Sequence, residues 1–218
     1  MNNNHFVAAS SAASISNWHP TILLEDAYGS HPIPLLAKEL TDRKIFISTP
    51  IDDELATSVI AQLLFLSESN EDISIFISSP GGSIDAGLAI YDVIRALEGK
   101  ININMYGYGM VASMAAVLLA SGHKEHRFLM PNSKMLLHEP LLSSGVSGSC
   151  SNITQTAEKI LEAKKKLCAI LAKHCNKSIK EIEKERQTVF YRTVCLFCLP
   201  GSNFVLYKIK IVKNAHKK

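Results

Sequence analysis

The sequence predicts an α/β fold with a largely parallel sheet, and three observations carry that expectation. From residue 44 onward, short apolar runs rich in β-branched residues alternate with longer stretches of helical period. Glycine and proline clusters fall between the two kinds of segment. Consecutive strands separated by whole helices require crossover connections, and crossovers place strands parallel.

The elements follow in order. Ile45, Phe46 and Ile47 form the first apolar run. Pro50 ends it, and Asp52 and Asp53 suit the first turn of a helix, where the macrodipole favours negative charge. Leu55, Val59, Ala61, Leu63, Leu64 and Leu66 carry that helix. Ile73, Ser74, Ile75, Phe76 and Ile77 read as a strand that stops at Ser79-Pro80-Gly81-Gly82-Ser83. A second helix sets Ile84, Leu88, Ile90, Tyr91, Ile94 and Leu97 on its apolar side, and Gly99 stops it. Residues 101–106 make a third strand, Gly107 and Gly109 read as a turn, and residues 112–120 form an apolar helix. Residues 127–130 and 134–137 give two short strands around Pro131-Asn132.

A long amphipathic helix is expected over residues 152–174, where Ile153, Ala157, Ile160, Leu161, Leu167, Cys168 and Leu171 recur at helical spacing. Its apolar face must be covered, by the domain or by another subunit. Residues 1–20, rich in Asn, Ser and Ala, read as a poorly ordered segment. Residues 21–185 read as one domain, and residues 186–218 show neither periodicity and form a tail of unknown structure.

Composition narrows the function classes. The net charge of the 218 residues is +3. Lys208, Lys210, Lys213, Lys217 and Lys218 concentrate the surplus at the end of the chain, which argues against a nucleic-acid partner. The N-terminal segment carries no Lys or Arg before the fold begins and does not resemble a secretory signal. The longest apolar run, residues 105–120, is interrupted by Gly107, Gly109 and Ser113 and falls short of the roughly 20 residues of a spanning helix. A soluble, cytoplasmic protein without a membrane contact is expected. The five cysteines are odd in number, which fits a reducing compartment. Cys195 and Cys198 have metal spacing but no second Cys/His pair, so no metal is expected.

Three features bear on chemistry. Ser113 follows Gly109 and leads into an apolar helix, where free amides and the dipole stabilise negative charge. In isolation it reads as a helix N-cap. Gly81-Gly82, directly after a strand, lets another backbone approach closely and could aim an N–H at a substrate carbonyl; in isolation it reads as a tight turn. His138 ends an apolar strand before Glu139-Pro140, and alone it reads as a hydrogen-bonded structural histidine.

Taken together these segments say more. Ser-Pro-Gly-Gly-Ser (79–83), Ala-Gly-Leu-Ala-Ile-Tyr-Asp (86–92), Ala-Ser-Met-Ala-Ala (112–116), Pro-Asn-Ser (131–133) and Leu-His-Glu-Pro-Leu (137–141) occur in unbroken order. With Pro-Ile-Asp-Asp-Glu-Leu-Ala (50–56) and Ala-Gln-Leu-Leu-Phe-Leu (61–66), the set closely resembles the Clp protease proteolytic-subunit (ClpP) family over about residues 32–185.

The resemblance implies a crotonase-like fold of repeated ββα units with a protruding helix at about residues 152–174. It implies Ser113 as nucleophile, His138 as general base, and the backbone N–H groups of Gly82 and Met114 as the oxyanion hole. It further implies two stacked, heptameric rings fed with unfolded protein by a hexameric AAA+ ATPase. This chain itself would need no metal or nucleotide, since the partner hydrolyses ATP.

The sequence departs from the family at the third triad member. The family's orienting aspartate should fall near Gln187, Thr188 and Val189, and no aspartate occurs after Asp92. No third acid is identified; Glu183 and Glu185 are the nearest substitutes. A shift of reading frame near codon 186 would leave such an abrupt loss of likeness, and sequencing the coding DNA tests it. A catalytically impaired subunit in a mixed ring is the alternative reading. An acyl-CoA enzyme on the same fold is disfavoured, because that chemistry has no use for Ser113 beside His138.

Overall fold

The computed structural model describes residues 20–26, 29–141, 147–186 and 205–206. The segment expected to be poorly ordered lies outside these residues, apart from Pro20, and most of the C-terminal tail also lies outside them. The chain divides into two units, residues 1–45 and 46–218. In the smaller unit β1 (Thr21–Asp26) and β2 (Gly29–Pro34) pair antiparallel, Thr21 opposite Pro34 and Asp26 opposite Gly29. The short helix α1 (Leu35–Thr41) follows directly. Neither the hairpin nor this helix was anticipated, since Pro32 and Pro34 obscure the strand pattern.

From residue 44 onward, across the division between the units, strand and helix alternate as expected. After β3 (Lys44–Ile47) comes α2 (Asp53–Leu66), capped by Asp52, whose carboxylate accepts the Leu55 N–H at 2.8 Å. Then come β4 (Ile73–Ser79), α3 (Ile84–Leu97) capped by Ser83, β5 (Ile103–Ala112) and α4 (Met114–Ser121). Short strands β6 (Arg127–Leu129) and β7 (Lys134–Leu136) follow, and then α5 (Cys150–Cys175), α6 (Ile179–Arg186) and the two-residue β8 (Val205–Leu206).

The sheet order is β3-β4-β5-β6-β8, with β7 also on β5. The β4–β5, β5–β6, β5–β7 and β6–β8 pairs are all parallel. Long strand β5 pairs with β4 and with two further strands: Met105–Gly107 pairs with β6 and Met110–Ala112 with β7.

The turn expected at Gly107 and Gly109 does not form. Gly107 and Gly109 do not end the strand, because β5 continues to Ala112. Ile77 lies opposite Gly107 while Ser79 lies opposite Val111, so the extra residues of β5 form a bulge. Gly109 takes φ 58°, which bends the strand without ending its pairing. That bend re-aims the last residues of β5, which carry the chain into Ser113.

Packing follows the sequence periods. On β4, Ile73, Ile75 and Ile77 are fully buried, alternating with half-exposed neighbours. All eight residues of α4 are buried, which is why its sequence shows no polar face. Burying each isoleucine contributes roughly 1.5–3 kcal/mol. On the opposite face of the sheet, Phe46, Phe76, Tyr106 and Phe128 stack in a row with ring centroids 5.2, 4.9 and 4.8 Å apart. Each near-parallel contact adds roughly 0.5–1.5 kcal/mol to the cross-strand pairing.

A buried cation ties the ends of two helices together. Arg127, 1% exposed, donates to the carbonyls of Ala120 at 2.5 Å and His174 at 3.1 Å, next to the C-termini of α4 and α5. His174 also meets the Tyr91 hydroxyl at 3.1 Å. Burial, reinforced by Arg95, Lys173 and Arg127, pushes His174 down to about 4 from the ordinary 6.5. The unfolded chain therefore takes up this proton before the folded one does. Stability is expected to fall progressively as pH drops from 6.5 toward 4 and to level off below. Thermal melts of the wild type and His174→Gln across this window check the effect; equal losses in both proteins contradict it.

Candidate active site

The serine turn is built where β5 hands over to α4. Ser113 has φ 54° and ψ −122°, a conformation that costs a non-glycine residue about 1–3 kcal/mol. Its N–H is anchored to the Leu136 carbonyl of β7 at 2.8 Å, and its carbonyl accepts from Ala116 and Val117. Although Ser113 stands at the N-cap position, its hydroxyl makes no cap hydrogen bond. The N-cap reading therefore fails for this side chain. The Met114 amide is the first of the helix, in the set that has no intrahelical acceptor.

The glycine pair lies over this turn. A Cβ on Gly81 would come within 2.6 Å of the Ala112 oxygen and the Ser113 Cβ, and 2.9 Å of the Met114 nitrogen. Only glycine admits so close an approach at φ 89°. Gly82 bridges Ile51 in parallel fashion: Ile51 N–H donates to Gly81 O at 2.8 Å, and Ser83 N–H donates to Ile51 O at 2.7 Å. The flanking groups make both bonds, so the Gly82 N–H is turned to the other side. The Ser79 hydroxyl stitches the loop by donating to Thr49 O at 2.7 Å and accepting the Gly81 N–H at 3.1 Å.

His138 follows β7, and its Nδ1 lies 2.6 Å from the Glu139 carbonyl oxygen. A carbonyl only accepts, so Nδ1 bears the proton, and in the neutral ring Nε2 is the basic nitrogen. The Glu139 carboxylate pairs with Lys164 of α5 at 2.5 Å. One cleft is lined by Gly82, Ile84, Ser113, Met114, Val117, His138, Glu139, Pro140, Leu141 and Leu167. The four residues named from sequence thus meet in a single place, from the β4–α3 loop, the β5–α4 turn and the segment after β7.

The third position stays open. Gln187, Thr188 and Val189 lie outside the described residues, as does the side chain of Glu185. Glu183 of α6 is close enough to act electrostatically on Lys164. Sequence reading missed Glu139 and Lys164 as a pair, because they stand 25 positions apart with no shared pattern. Cys150 is exposed and Cys168 and Cys175 are buried, whereas Cys195 and Cys198 lie outside the described residues. Among the described residues no group of three or more His, Cys, Asp or Glu could hold a metal ion. No helix among them is long and apolar enough to cross a membrane.

These features define a mixed α/β protein with a parallel sheet that brings a serine and a histidine to one cleft. A model of the Clp protease family matches residues 30–194, and the chain belongs to that family. Its sheet and flanking helices are those of the ClpP, crotonase-like fold. The match runs a little past residue 185, where the likeness ended on the sequence.

Proposed function

We propose that this chain is the proteolytic subunit of an ATP-dependent Clp protease, a serine endopeptidase acting on unfolded protein. The observation that carries the reading is the Ser113 hydroxyl, uncapped on a strained turn, in one cleft with His138. Nε2 of His138 takes the hydroxyl proton as Ser113 attacks a peptide carbonyl, and returns it to the departing amine. The Gly82 and Met114 amides hold the oxyanion, each worth about 3 kcal/mol in comparable sites. Water then releases the acyl group by the same route. No metal or nucleotide takes part in this chain's chemistry.

The assembly is proposed to be two stacked heptameric rings in the cytoplasm, supplied by a hexameric Clp-type AAA+ ATPase. On α5, Ile153 and Leu161 are 45% and 55% exposed, which supports a face covered by another subunit. A second reading rests on a specific observation, the lack of any aspartate after Asp92. In that reading the chain is an impaired member of a mixed ring.

The test is hydrolysis of a short fluorogenic peptide amide by the assembled wild type and by Ser113→Ala. Cleavage by the wild type alone, undiminished by a chelator, supports the peptidase. An inactive wild type that raises or redirects the activity of an active paralogue's ring supports the second reading instead.

A further inference from the structure

Within the serine-peptidase reading, the ring of the base must be held in one tautomer and one plane. A histidine serves as base only if its second nitrogen keeps the proton and its plane is held. In this fold the Nδ1 proton goes to the Glu139 main-chain oxygen at 2.6 Å. That carbonyl is itself constrained from two directions. Pro140 follows it, and the proline ring confines Glu139 to extended backbone, which limits the directions its carbonyl can take. The Glu139 side chain is tied across to α5 by Lys164 at 2.5 Å, with the two side chains 37% and 26% exposed.

We propose that the Glu139 carbonyl orients His138 where the family uses an acid, and that Lys164, through its ion pair with Glu139, is a positioning residue for catalysis. The hydrogen bond to Glu139 raises the pKa of Lys164, so it stays charged through the neutral range. Glu183 of α6 adds attraction at the same ammonium. The helix α5 thereby gains a direct connection to the base: displacing it would slacken the 138–140 segment. A carbonyl supplies a dipole where a carboxylate supplies a charge. It therefore fixes the tautomer but stabilises the imidazolium less.

The test is the rate of phosphonylation by a fluorophosphonate, in which the Ser113 Oγ–P bond forms, P–F breaks, fluoride leaves and the hydroxyl proton passes to His138. Lys164→Met should lower the rate at saturating probe by about ten- to hundredfold, the scale of a small misplacement, with the half-saturating concentration unchanged. Lys164→Arg, which can keep the ion pair, should recover most of that rate. Glu139→Ala should cost as much as Lys164→Met, and the double variant no more than either. Should Lys164→Met melt, Glu139→Gln makes the same comparison with the backbone intact. A labelled wild type whose rate survives Lys164→Met, or losses that multiply, overturns the proposal alone. An unlabelled wild type overturns the peptidase reading and this proposal with it.

Discussion

His138→Ala is expected to lower peptide turnover by at least about a thousandfold with the fold intact. Removing the base from a complete serine triad costs on the order of a millionfold in kcat, and removing the acid alone costs roughly thirty-thousandfold. The ratio of those two losses is informative here. A wild type with nothing in place of the acid would already sit near the floor, and His138→Ala would then cost it only about a hundredfold or less. With the Glu139 carbonyl holding Nδ1–H at 2.6 Å, part of the acid's role is filled, and the loss should lie well above that value. Steady-state kinetics checks this, with circular dichroism to confirm folding. His138 is half-buried at the cleft and makes no large core contribution, so its removal should leave the melt nearly unchanged.

Gly82→Ala is the second large effect, and it strikes fold and chemistry together. A Cβ at position 82 would stand 2.2 Å from the Ile51 oxygen and 2.7 Å from the Ile51 nitrogen, both backbone atoms. The φ of 155° adds backbone strain. Separating the two segments would break the bridge that fixes the Gly82 amide. A loss of about 3 kcal/mol or more in stability is expected. Molecules that remain folded should show about a hundred- to thousandfold lower turnover, the cost of one oxyanion donor. Urea unfolding and kinetics on the folded fraction measure the two parts. A melt and a rate like the wild type's would contradict the described bridge.

Much of this architecture is legible in the sequence. The period of two in Ile73, Ile75 and Ile77 and the period of 3.6 around α3 follow from which faces are buried, so they survive in the sequence. The turn at Ser113 was legible only as part of an ordered set of segments, because a serine before an apolar helix has a commoner use as a cap. Its positive φ, and the fact that its hydroxyl caps nothing, are properties of the bulged strand that delivers it. Gly109 was misread for the same reason, since a glycine that bends a strand and one that ends it look alike in sequence. The Glu139–Lys164 pair was illegible because it depends on how α5 lies against the segment after β7. Residues with no periodic signal, such as the β1–β2 hairpin with its prolines, were missed outright.

The central claim is that Ser113 is an activated nucleophile despite the absent aspartate. Mapping by mass spectrometry the residue modified by a fluorophosphonate in the assembled wild type tests it most directly. One phosphonyl group per chain is expected, on Ser113, and none in Ser113→Ala. A wild type whose Ser113 stays unmodified, or is modified no faster than other serines, would contradict it.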